Sequence, residues 1–132
     1  MNYSVELQNA ITKHGIMPEN LLYMTIGREP LSRIISKEKT IEFRGITEHW
    51  AKKLTSEKDG VYTDKPITHL LLQGGYSKNS PRVLVQLKDW RFIDEESTSE
   101  RAEIIRIETR KEGIEDDAEY FALMLGDIVY NE

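Results

Sequence analysis

The 132-residue chain contains no cysteine. Structural disulfides, thiol nucleophiles and cysteine-ligated zinc are thereby excluded. Its three histidines, His14, His49 and His69, fall in neither HxH nor HExxH spacing, so no metal site is expected. Cofactors are expected to be none. No stretch approaches the roughly 18 consecutive apolar residues of a membrane-spanning helix. Nor do the first residues carry a basic patch leading into an apolar run. The expectation is a soluble, cytoplasmic protein with no membrane partner. A phosphate-cradling glycine loop is missing too, because Gly74-Gly75 fits neither the GxGxxG nor the Walker pattern. There is no internal repeat and no low-complexity linker.

What is present is the composition of a soluble globular chain, 39% hydrophobic and 31% charged, which can build a core without metal or disulfide support. The length fits one domain over 1–132, with 1–20 as an N-terminal helical extension. The net charge of −5 is unevenly spread. Residues 1–66 hold ten Lys/Arg and nine Asp/Glu, whereas residues 67–132 hold eight and fourteen. This balance argues against indiscriminate, phosphate-driven nucleic-acid binding but leaves room for a local basic groove in the first half.

Residues 4–14 have partial helical spacing, with Ser4 as N-cap and Gly15 as stop. Leu21 to Ile26 reads as a buried strand ended by Gly27. Glu29 to Ile35 reads as a short helix with Pro30 at its first position and Leu31, Ile34 and Ile35 as its buried stripe. Thr47 caps a further helix running to Leu54, and 55–66, rich in turn formers and charge, reads as a loop. Ile67 to Gln73 and Arg82 to Leu87 form a hairpin, which Trp90, Phe92 and Ile93 continue with period two. The β-branched run Ala102 to Thr109 reads as another strand. Tyr120 to Leu125 and Ile128 to Tyr130 close the chain as strands around Gly126, a glycine placed for a bulge. The sum is an α+β domain: a small barrel of about five to six mostly antiparallel strands, with short helices concentrated in the first half and packed at its ends.

One stretch carries most of the chemistry. Lys37-Glu38-Lys39-Thr40-Ile41-Glu42-Phe43-Arg44 combines three charged side chains with strand-forming Thr40, Ile41 and Phe43. Side-chain alternation puts Thr40, Glu42 and Arg44 on one face and Lys39, Ile41 and Phe43 on the other. Lys39, at the strand entrance, can still swing towards Glu42. Two readings stand at this point, an ordinary surface ion pair contributing roughly 0–1 kcal/mol and a functional cleft. In the second, Glu42 between two cations stays ionised and suits binding or orienting, while Arg44 offers a forked donor to phosphate or a base edge. Arg28, leaving the first strand, and Tyr76 and Lys78, after the double glycine, are further candidates for ligand contact. As alternatives, they are a solvated arginine and an ordinary hairpin loop. Trp50 has the spacing to pack with Leu54.

The short helix followed by this stretch resembles the signature of the ASCH family, a member of the PUA-like β-barrel group. That signature is a Gly-x-Lys-x-x-Glu-x-Arg pattern, and Lys39, Glu42 and Arg44 fall on its three charged positions. Lys37 occupies its glycine position. The hairpin after Gly74-Gly75-Tyr76 and the terminal Tyr120 to Tyr130 segment also resemble elements of that family, so the likeness spans roughly residues 21–130. It implies a PUA-like barrel with a charged cleft in a family associated with RNA. One branch hydrolyses the acetyl amide of N4-acetylcytidine with a Lys and a Thr from a Lys-Thr-x-Thr motif and a carboxylate from a later strand. Here Glu42 stands where that branch has its threonine, and the later strand offers Gln86 rather than a carboxylate.

The leading expectation is therefore binding of RNA or a nucleotide-like ligand by Arg28, Lys39, Thr40, Glu42, Arg44, Tyr76 and Lys78. An alternative is a hydrolase acting on RNA or a modified nucleoside, with Lys39 and Glu42 catalytic. A second is a protein-interaction module that uses an acidic surface including Glu115, Asp116 and Asp117. The sequence leaves the oligomeric state open.

Overall fold

The computed structural model describes residues 3–132, so the first two residues of the expected N-terminal extension lie outside the described residues. The chain opens with helix α1 (Val5–Lys13), where the Ser4 hydroxyl accepts from the Leu7 backbone N–H at 3.1 Å. A single turn, Pro18–Asn20, delivers strand β1 (Leu21–Thr25), whose Leu22 and Met24 point into the core. Helix α2 (Arg28–Ile35) follows. Pro30 sits in its first turn but at the third helical position rather than the first, and Leu31 and Ile34 are buried while Ile35 is not. Strand β2 (Ile41–Gly45) leads into helix α3 (Glu48–Leu54), capped by the Thr47 hydroxyl, which accepts from Trp50 N–H at 3.2 Å.

The expected loop at 55–66 is instead a hairpin of β3 (Thr55–Lys58) and β4 (Val61–Asp64). Its turn, Asp59-Gly60, places both residues at positive φ, 53° and 79°, which is the requirement of the two-residue hairpin turn. Almost every residue of the hairpin is exposed, so it lacks the buried alternation by which strands are recognised.

Strand β5 (His69–Gln73) and the long strands β6 (Arg82–Ile93) and β7 (Tyr120–Asn131) complete a curled, half-barrel sheet in the order β1-β5-β6-β7-β2. Only the β1–β5 pair is parallel. The two segments expected around Gly126 are one strand. Val85 pairs with Ile128 and Leu87 with Leu125, so Gly126 and Asp127 oppose the single residue Gln86. This is a bulge, and the Gln86 side-chain oxygen accepts from Asp127 N–H at 3.1 Å in place of a ladder partner. A Cβ at Gly126 would come within 2.8 Å of that oxygen, which explains the glycine.

The chain also departs from expectation at 100–111. Instead of a strand at 102–109, the chain forms helix α4 (Glu100–Lys111), the longest helix in the molecule. Ala102, Ile105, Arg106 and Thr109 are buried at helical spacing, whereas Ile104 and Ile107 are 56% and 52% exposed. The Ser99 hydroxyl accepts from Ala102 N–H at 3.1 Å, acids fill the first turn and Arg110 and Lys111 the last. Three isoleucines made the stretch look like a strand; the caps and the burial period make it a helix. Helices are thus not confined to the first half.

Residues of alternating parity serve two faces of the sheet. Leu70, Leu72, Val83, Val85, Phe121 and Leu123 pack with Leu31 and Ile34 of α2 and Leu54 of α3. On the other face, Leu71 and Leu84 meet Leu7 and Ile11 of α1, and Ile41, Ile93 and Ala122 meet Ala102 and Ile105 of α4. Among the described residues, no helix is long and apolar enough to cross a membrane.

Candidate functional site: a buried charged cluster

Strand β2 pairs with β7 in the register Ile41↔Met124 to Gly45↔Tyr120. Ile41 and Phe43 pack on the α4 side, so Glu42 and Arg44 face the α2/α3 side. Lys39 lies just before the strand, tied back to α2 by its backbone N–H donating to Arg33 O at 3.0 Å.

The three motif side chains converge. Lys39 Nζ stands 3.7 Å from Glu42 Oε1, and Arg44 Nη1 stands 3.4 Å from Glu42 Oε2. Their side chains are only 5%, 7% and 18% exposed in the order Lys39, Glu42, Arg44, so this is no solvent-facing ion pair. Lys39 Nζ also lies 4.9 Å from the centre of the Phe43 ring. Arg44 is held from three sides. Its Nη2 donates to Thr25 O at 2.8 Å, its Nη1 to Phe43 O at 3.1 Å, and its guanidinium lies 5.3 Å from the Trp50 ring centre.

Glu42 is less well satisfied. Oε1 accepts from the Phe43 backbone N–H at 2.9 Å, but Oε2, fully buried, makes no hydrogen bond among the described residues. A buried carboxylate oxygen without a hydrogen bond is costly, and the Arg44 charge at 3.4 Å offsets part of that cost.

Two residues not singled out from the sequence complete the cluster. Glu112, the C-cap of α4, accepts from Arg33 of α2 through both carboxylate oxygens, at 2.6 and 2.9 Å. The same Glu112 lies 3.5 Å from Lys39 Nζ. Hydrogen bonding to Arg33, with Lys39 adding a further positive charge, holds the Glu112 carboxyl at about 2 despite the opposing effect of burial. Arg33 is shifted upward in return, mainly by those hydrogen bonds and by one to Glu29 at 2.7 Å. Because Arg33 and Glu112 are 79 residues apart, no local spacing announces their pairing.

The remaining candidates lie elsewhere. Arg28 opens α2 and its Nε donates to Gly74 O at 3.3 Å, which ties it to the β5–β6 connection. Tyr76 (91% exposed) and Lys78 stand in that connection without contact to the charged cluster. Thr40 is exposed; its carbonyl accepts from Leu125 N–H at 2.9 Å, and it lines a small pocket together with Lys37, Lys88 and Lys39 of the cluster. Trp50 is half-buried against the core, as its spacing with Leu54 suggests, but also carries Arg44 on its ring. Asp116, one of the residues of the expected acidic surface, is paired bidentately with Arg110 at 3.0 Å. Among the described residues no group of histidines or acids is arranged to hold a metal ion.

Fold and cluster together define an α+β half-barrel with a buried Lys-Glu-Arg constellation between its helices and one sheet edge. The fold is similar to the crystal structure of a serine-to-alanine mutant of the ZmASCH protein from Zymomonas mobilis. The likeness covers 85% of this chain and 71% of that one, at 14% identity and a TM-score of 0.47. No family model matches the chain. No curated protein matches it either.

Proposed function

We propose that the protein binds RNA or a nucleotide-like ligand at the Lys39–Glu42–Arg44 cluster. The observation that carries this reading is the convergence of Lys39, Glu42 and Arg44, in which Glu42 Oε2 has Arg44 Nη1 at 3.4 Å but makes no hydrogen bond among the described residues. A base edge offers what that oxygen lacks, an exocyclic amino or ring imino group able to donate to a carboxylate. Lys39 and Arg44 hold that carboxylate in place, and the Arg44 Nε–H, engaged by none of Thr25, Phe43 and Glu42, remains for the ligand. Arg28, Tyr76 and Lys78, at and beside the β5–β6 connection, supply cations and an exposed ring suited to phosphate and base stacking along a longer ligand.

Hydrolysis with Lys39 and Glu42 catalytic is the less supported reading. The Lys39 ammonium is already engaged by two carboxylates, at 3.7 and 3.5 Å, and both would have to move before it could attack a carbonyl. Acetylated cytidine and RNA incubated with the protein are expected to remain intact, as followed by chromatography.

The binding reading is tested with Glu42→Gln, which keeps the shape but turns half of the acceptor into a donor. Binding to a panel of short RNAs and nucleosides, measured by calorimetry, should weaken at least about tenfold, the size of one charge-assisted hydrogen bond. A folded variant that binds the whole panel like the parent protein overturns the reading.

A further inference from the structure

Residue Lys37 adopts φ +67°, a left-handed conformation that L-residues other than Asn and Asp rarely enter. It follows Ser36, the C-cap of α2, at the position where helices commonly end in glycine, and its N–H donates to Ile34 O at 3.1 Å. A lysine is a costly occupant of such a position, and strain of this kind is a pointer to function.

Its surroundings give the strain a purpose. Lys37 lines a pocket of about 180 Å³ with Lys39, Thr40, Lys88, Gly126 and Asp127. Lys39 is already paired with Glu42 and Glu112. By contrast, the side chains of Lys37, Lys88 and Asp127 have no ion pair or side-chain hydrogen bond among the described residues. The β6–β7 bulge brings Lys88 here: Gly126 leaves the room, and a Cβ there would stand 3.0 Å from Lys88 Cγ. The volume is below the roughly 300–1,000 Å³ of pockets that take a whole small molecule, so it suits a fragment of a larger ligand.

We propose that this pocket is a ribose-phosphate subsite in which Lys37 and Lys88 hold a phosphate and Asp127 accepts from a ribose hydroxyl. A bare phosphate would satisfy the two ammonium groups but face the Asp127 carboxylate. A phosphate carrying a hydroxylated sugar satisfies all three groups. Asp127 is also the feature that distinguishes RNA from DNA here, since only the ribose 2′-hydroxyl can donate to it. The ligand class rests on the nucleotide reading above, and the pocket adjoins the Glu42 cluster through Lys39 without including Glu42 itself.

Ribose 5-phosphate is the probe, because it has no base for Glu42 to read. Titration followed by protein NMR should show saturable binding near the millimolar range, with shifts at Lys37, Lys88 and Asp127. Inorganic phosphate should bind more weakly. Lys37→Gly should raise the melting temperature by about 3–5 °C by relieving the left-handed strain and yet weaken ribose 5-phosphate about three- to tenfold. Lys88→Ala, on a strand with its side chain exposed, should weaken it similarly with the melting temperature unchanged. With an eight-nucleotide RNA and the DNA of the same sequence, Asp127→Asn should reduce the preference for RNA. No saturable binding of ribose 5-phosphate, or equal binding by the parent, Lys37→Gly and Lys88→Ala proteins, overturns the subsite. Glu42→Gln should leave ribose 5-phosphate binding intact while weakening RNA. Loss of the subsite with the Glu42 effect retained, or the reverse, therefore separates the two proposals.

Discussion

Glu112 ties three elements together with one carboxylate: it ends α4, accepts both terminal nitrogens of Arg33 from α2, and stands 3.5 Å from Lys39 before β2. Its folded-state carboxyl is depressed from 4.5 to about 2. A carboxyl lowered by folding contributes stability above its unfolded value and loses it as the pH falls through the folded one. The Glu112 contribution should therefore be full above about pH 4.5 and decline towards pH 2. With the side chain one-fifth exposed, screening limits it to about 1–2 kcal/mol. Denaturant unfolding of the parent and of Glu112→Gln at pH 7, 4, 3 and 2 checks this: the gap between them should shrink as acid is added. A gap of constant size across that range would show that Glu112 acts by packing and not by charge.

Elements were legible where a cap and a buried period agreed. Ser4, Thr47 and the apolar runs of β1, β5 and β6 each announce their element locally. The β3–β4 hairpin was not, because an exposed hairpin leaves no burial pattern and only its Asp59-Gly60 turn speaks for it. Helix α4 was misread because β-branched residues carry strand propensity while the tertiary contacts of Ala102 and Ile105 decide otherwise. The candidate site divides in the same way: Lys39, Glu42 and Arg44 are close in sequence, but Arg33 and Glu112 meet only through the fold. A strand would put Ile105 and Ile107 on one face; the helix separates them. Ile105→Ala should thus cost about 2–5 kcal/mol, and Ile107→Ala no more than about 0.5 kcal/mol. Equal costs in chemical denaturation would favour the strand.

Across the whole molecule, the edges of the main sheet are β1 and β2, and Arg44 of β2 donates across that gap to Thr25 O of β1. A side chain, not a backbone ladder, joins the edges here. Removing it leaves Glu42 buried with one of its two cations missing, so Arg44→Ala should destabilise by about 3 kcal/mol in denaturant unfolding. An exposed salt bridge would cost under about 1 kcal/mol, and a loss that small would deny Arg44 its joining role. The charge distribution sets a further expectation. With a net charge of −5 and the acidic excess in the second half, overall charge argues against indiscriminate gripping of a nucleic-acid backbone. If RNA is held through about three phosphate contacts, the logarithm of affinity should fall with the logarithm of salt concentration with a slope near −2. Lys88→Ala should make that slope shallower by about 0.7, the share of one contact to a single strand. Anisotropy titrations of a short RNA between about 50 and 200 mM salt measure both quantities. A slope of about −5 or steeper would mean that the protein binds through a wide electrostatic surface, and the local cluster and its neighbouring lysine pocket would lose their claim to be the site.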